Sequence, residues 1–139
     1  MEEKRFSLWF AEATNDLDGG KILLKAKRYN LAVFIFTQAA EKAVKALLYL
    51  TKAKPWGHAI LNLLIEYENQ GHAVPSELKE FAQELENSYL DSRYPGISES
   101  MGPKDLYDKE SAKAAMEKTK AILDFVKKEK EEKSTSANQ

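Results

Sequence analysis

Apolar residues recur along the chain at intervals of three and four, and they do so in five separate stretches. No segment alternates apolar and polar residues for long between turn residues. The spacing therefore predicts helices and no strands. Phe6, Trp9, Phe10, Ala13, Leu17, Gly20 and Leu24 form one stripe and predict a first helix over about 6–26. Gly19 and Gly20 weaken that helix by roughly 1 kcal/mol each relative to alanine. Because the stripe continues to Leu24, the pair is expected to admit a closely packed neighbour rather than to end the helix.

A second helix, over about 29–50, is the most apolar. Residues 31–36 are apolar on nearly every side, and Ala39, Ala40, Ala43, Ala46, Leu47 and Leu50 follow. A helix apolar all round belongs at the centre of a bundle. Its polar residues gather on one strip, Gln38, Glu41, Lys42 and Lys45. Lys54-Pro55-Trp56-Gly57 breaks the pattern. A third helix over about 59–69 ends at Gly71, a C-terminal cap. Pro75 opens a fourth over about 77–90, with Ser76 as a candidate cap and Leu78, Phe81, Ala82, Leu85 and Tyr89 as its stripe.

Residues 91–107 hold Pro95, Gly96, Gly102 and Pro103 and predict one long irregular segment. Asp108 is placed to cap a fifth helix that carries Ala112, Ala115, Met116, Thr119, Ile122 and Val126. The chain then turns charged and finally polar. The expectation is a single domain at 1–127 and a disordered tail at 128–139. Short connections between amphipathic helices imply an all-α, antiparallel up-and-down bundle of four to five helices.

Composition removes more than it adds. The 139 residues are 43% hydrophobic and 31% charged, as in an ordinary folded domain. There are no cysteines, which excludes disulfides, thiol nucleophiles and Cys-ligated zinc and fits a reducing cytoplasm. No apolar stretch approaches a membrane span, and the charged start at Met1, Glu2, Glu3, Lys4 and Arg5 leads into no signal-peptide segment. A cytoplasmic protein without a membrane partner is expected. A net charge of −1 gives no global attraction for nucleic acid. The two histidines, His58 and His72, form no helical metal-binding pair. Gly-rich phosphate loops and Gly-x-Ser-x-Gly elbows do not occur, so neither metal nor cofactor is expected.

Four features could carry chemistry. The strip of Gln38, Glu41, Lys42 and Lys45 suits a groove for a phosphate-bearing ligand or a partner chain, or else a solvated face with Glu41–Lys45 pairing. The segment Lys52-Ala53-Lys54-Pro55-Trp56-Gly57-His58 joins charge to an aromatic, as nucleic-acid contacts do, or Trp56 covers the end of the bundle. Asp91-Ser92-Arg93-Tyr94-Pro95 presents a planar cation and a ring on a stiff turn. Arg93 there either meets a ligand's phosphate or carboxylate or pins the loop to an acid. Residues 127–133 mix charges evenly and read as a solvated helix end.

Trp9, Ala13, Asp16 and Leu17, then Leu23-Leu24, Tyr29 and Ala32, then Gln38-Ala39-Ala40-Glu41-Lys42-Ala43-Val44-Lys45-Ala46-Leu47-Leu48, then His58, Leu61 and Leu64, and finally Arg93-Tyr94-Pro95, together resemble the HEPN domain, over about 6–126. The resemblance implies a bundle of four to five helices that forms homodimers. Small prokaryotic HEPN proteins of this kind sit beside a minimal nucleotidyltransferase and can act with it as toxin and antitoxin. Many are ribonucleases that use Arg followed four to six residues later by His. After Arg93 come Tyr94, Pro95, Gly96, Ile97, Ser98, Glu99 and Ser100, with no histidine, and Arg5 and Arg28 have none either. The departure favours a non-catalytic homodimer that binds a nucleotide or a nucleotidyltransferase through Gln38, Glu41, Lys42, Lys45, Arg93 and Tyr94. The alternatives are a metal-independent RNA-cleaving toxin with a variant site and a purely structural dimer.

Overall fold

The computed structural model of the chain describes residues 1–51, 53–96 and 100–137, the side chains of 134–137 excepted. Among the described residues five long helices and one short one follow in order: α1 (Glu2–Lys25), α2 (Tyr29–Leu50), α3 (Ile60–Asn69), α4 (Ser76–Asp91), α5 (Pro103–Leu106) and α6 (Lys109–Ala137). Helix α2 is the axis. Phe36, Ala39, Ala40, Ala43, Val44, Ala46, Leu47 and Leu48 have no exposed surface. Helix α1 lies along one side of it, α6 along another, and α3 with α4 closes the rest. The alanines explain the arrangement, since a small side chain lets neighbouring helices come close while the larger residues fill the gaps between them.

Helix α1 begins four residues before the apolar stripe does. Glu2 and Glu3 lie in its first turn, where negative charge offsets the exposed amide dipoles. Gly20 lies against the fully buried Phe36, and a Cβ there would overlap the ring, whereas Gly19 faces open space. The close approach expected of the glycine pair is thus the work of Gly20 alone. Gly71, at φ +100°, closes α3 as a left-handed cap. Two other helix starts lack a local side-chain cap, that of α4 against the expectation for Ser76. Pro75 occupies the N-cap position of α4, and Ser76 is its first residue without a side-chain cap bond. At the start of α3 no local side chain caps, and the amide of Leu61 donates instead to Glu86 of α4.

Asp108 caps α6 as expected, in a reciprocal box. The Ser111 amide donates to Asp108 Oδ1 at 2.8 Å, and the Asp108 amide donates to Ser111 Oγ at 3.0 Å. That bond from Ser111 holds the Asp108 carboxyl below the usual carboxylate range.

Helix α6 does not stop near Val126. It continues to Ala137, through most of the stretch expected to be a disordered tail, and residues 138–139 lie outside the described part. Its partners are distant in sequence. Tyr67 of α3 is buried and donates its hydroxyl to Glu129 Oε1 at 2.6 Å. Burial and the Glu129 carboxylate together push the phenol's pKa far up. His72 stacks on Tyr67 at 4.2 Å between ring centres, and Lys133 Nζ lies 3.4 Å from His72 Nε2.

The last contact predicts a pH dependence. Desolvation and the nearby Lys133 charge hold the His72 imidazole below its usual pKa. The unfolded chain therefore takes up this proton before the folded chain does, and stability falls as pH drops below about 6.5. Thermal unfolding followed from pH 7.5 to 5.5 is expected to show a shallower decline for His72→Phe, which keeps the stack on Tyr67 but cannot titrate. Parallel profiles for the two proteins would rule the coupling out.

Candidate functional site

The strip on α2 is not the solvated face that its sequence suggests. Glu41 and Lys45 are only 6% and 7% exposed, and Gln38 and Lys42 are half-buried. Charged side chains this deep are rare unless paired. Lys45 Nζ lies 3.1 Å from Glu41 Oε2, and the Nδ1 of His58 lies 3.2 Å from the same oxygen. Lys42 is neutralised across the helix interface by Asp16 of α1, at 2.8 Å. Trp9 of α1 roofs the cluster, its ring centre 5.7 Å from Lys45 Nζ. Gln38 makes no side-chain hydrogen bond among the described residues.

His58 is the site residue that spacing alone did not bring in. It stands 17 positions from Glu41, and the segment after α2 turns back to deliver it there. Its side chain is 76% exposed while the carboxylate behind it is buried. Trp56 does not cover the end of the bundle: it is 87% exposed, at the rim of a cavity of about 260 Å³ that it shares with His58, Asn62 and Glu66. Lys52, the first residue of the candidate segment, lies outside the described residues. Beyond Trp9 the surface stays aromatic and basic. Trp9 and Tyr49 meet at 5.5 Å between ring centres, and the Arg5 guanidinium sits 5.8 Å from the Tyr49 ring.

Arg93 and Tyr94 occupy a separate position at the other end of α2. Ser92 is fully buried, and its carbonyl accepts a bond from the Asn30 side chain at 3.2 Å, which fastens the turn to the start of α2. The Arg93 guanidinium lies 4.8 Å from the ring centre of Phe34 and 5.2 Å from that of Tyr94. Two rings hold it, and among the described residues no carboxylate pairs with it. Among the described residues Arg93 pins the loop to no acid, and the planar guanidinium it presents has a geometry suited to phosphate or carboxylate. Gln38 lies one helical turn from Phe34 along α2, so this cation and the Glu41–Lys45–His58 cluster mark two points on one helix, roughly 10 Å apart along its axis. The structure does not merge them into one cleft. Among the described residues no three His, Asp or Glu side chains gather as a metal would need, and no helix is long and apolar enough to cross a membrane.

Comparison with known proteins agrees with this architecture. The chain is 27% identical over 140 aligned positions to the protein named "Putative toxin MJ1304" of Methanocaldococcus jannaschii, across 91% of this chain and 92% of that one. The crystal structure of TT1696 from Thermus thermophilus superposes with a TM-score of 0.83 at 30% identity, over 89% of this chain and 97% of that one. That of ST0689, described as an archaeal HEPN homologue, gives 0.75 at 30% identity, over 89% and 96%. A HEPN domain protein of Thermotoga maritima, TM0613, gives 0.71 at 30% identity, over 86% and 94%. The model of the HEPN domain family matches residues 6–130, nearly the whole bundle, and this chain belongs to that family.

Proposed function

We propose that this chain is the HEPN member of a toxin–antitoxin-like pair, a homodimer that binds a nucleotide or a minimal nucleotidyltransferase and does not itself cut RNA. The observation that carries the reading is Arg93, a cation held between Phe34 and Tyr94 with no carboxylate to satisfy it among the described residues. The sequence after it supplies no imidazole for acid–base work. The relative named as a toxin supports the two-component setting.

The face for the second copy is the outer side of α1. Leu8 and Ile22 there are 61% and 68% exposed, and Leu8 borders an open groove of about 300 Å³ shared with Trp9, Glu12 and Lys42. The two residues lie fourteen positions apart and so share one side of the helix. The test is native mass spectrometry of the protein co-expressed with a minimal nucleotidyltransferase. A dimer is expected, carrying the partner or a nucleotide. Ile22→Lys is expected to give a monomer, and Arg93→Ala to lose the bound species while staying dimeric. A monomeric parent protein that carries nothing would refute the proposal.

One observation favours a second reading. A buried carboxylate that orients an exposed imidazole, as Glu41 orients His58, is how a general base is built. Metal-independent RNA cleavage would then run through His58. RNA left intact by the purified protein disposes of this alternative, and cleavage abolished by His58→Ala would put it first.

A further inference from the structure

The segment that delivers His58 to Glu41 also builds the cavity of about 260 Å³ beside it. Gly57, at φ +86°, makes the sharp turn between Trp56 and His58, in a conformation that residues with a side chain rarely adopt. Asn62 and Glu66 stand one turn apart on α3 and so share one side of that helix. Ala59 and the buried Leu63 complete the wall. The space is smaller than a drug-sized ligand fills and suits a single head group.

The polar groups around this space are chiefly acceptors. Glu66 is half-buried and makes no ion pair among the described residues. No lysine or arginine lines the cavity. His58 Nδ1 faces Glu41 Oε2 at 3.2 Å, and because an ionised carboxylate only accepts, Nδ1 holds the ring proton. In the neutral ring Nε2 is then an acceptor, and Asn62 adds an amide carbonyl. The positive end of α3 does not offset them, since the Leu61 amide already donates to the Glu86 carboxylate. The charge of Lys45 is matched by Glu41.

We propose that this cavity binds a guanidinium group, carried either by a small alkylguanidine or by an arginine side chain of a partner protein. A guanidinium is planar, always charged and made only of donors, which is the complement of an acceptor-rich cavity with an unpaired carboxylate. Glu66 offers two oxygens to its N–H fork. His58 Nε2 and the Asn62 carbonyl serve the donors that remain. Trp56, 87% exposed at the rim, gives the flat cation a ring to lie on, an advantage that a tetrahedral ammonium does not share. The inference does not rest on the function proposed above, since Arg93 lies at the other end of α2.

Titration calorimetry of the full chain with L-argininamide, L-lysinamide and a tetra-arginine peptide tests it. Argininamide is expected to bind once per chain, and lysinamide several-fold more weakly. Glu66→Gln is expected to weaken argininamide by about tenfold or more, because the charged half of the fork is lost, and Trp56→Leu by several-fold. Glu110→Gln, which removes an exposed carboxylate from α6, is expected to leave the affinity unchanged. A peptide that binds more than about tenfold tighter than argininamide, and still depends on Glu66, makes a partner's arginine the occupant, since four arginines alone give only a statistical advantage. Similar affinities make it a free small molecule. Failure of both argininamide and the peptide to bind overturns the proposal. So does lysinamide bound as tightly as argininamide, or binding that Glu66→Gln weakens no more than Glu110→Gln does.

Discussion

Replacing Glu41 with alanine is expected to cost the fold about 3 kcal/mol. The change leaves Lys45 as a charge under the Trp9 roof with no counter-charge, and one orphaned partner of a buried ion pair is among the more expensive single defects. Removing both charges is expected to cost far less. A Glu41→Met/Lys45→Met double variant fills the same space with apolar atoms, and its stability should lie within about 1 kcal/mol of the parent. Urea unfolding of Glu41→Met, Lys45→Met and the double variant closes the cycle. If the double variant loses as much as the two single losses added together, the pair is not coupled and this account of the cluster is wrong.

The two adjacent glycines of α1 give an equally sharp contrast. Gly20→Ala places a methyl group against the fully buried Phe36 ring, and a loss of about 1–3 kcal/mol is expected. Gly19→Ala adds the same methyl group where nothing lies within contact, and should gain about 0.5–1 kcal/mol from helix propensity alone. Thermal unfolding of both variants reads the difference directly. Equal effects at the two positions would mean that Phe36 is free to move aside.

The sequence reveals what repeats locally. The apolar stripe of α1, the all-round apolarity of α2 and the capping role of Asp108 each depend on residues within a turn or two of one another, and each is found where expected. Contacts across the bundle leave no such trace. Residues 128–133 look like a frayed end because their charges are evenly mixed, and only the distant Tyr67 and His72 show why the helix persists. The same holds for the candidate site. Glu41 and Lys45 are spaced as an exposed i,i+4 pair, and burial by Trp9 is a fact of how α1 lies on α2. Arg93 stands out from its Arg-Tyr-Pro setting, yet the ring that holds it from below, Phe34, belongs to a run that pattern alone assigns to the core.

The central place of α2 has a bearing on how the molecule is made. Its most extensive partner is α1, which precedes it across a turn of three residues, so the hairpin depends on local contacts that close quickly. Its next most extensive partner is α6, which begins at Lys109. A growing polypeptide can therefore pair α1 with α2 early, but the greasy side of α2 that α6 later covers stays open until synthesis has passed Lys109. During that interval the nascent protein offers a hydrophobic strip on a preformed hairpin, the kind of surface that holding chaperones engage.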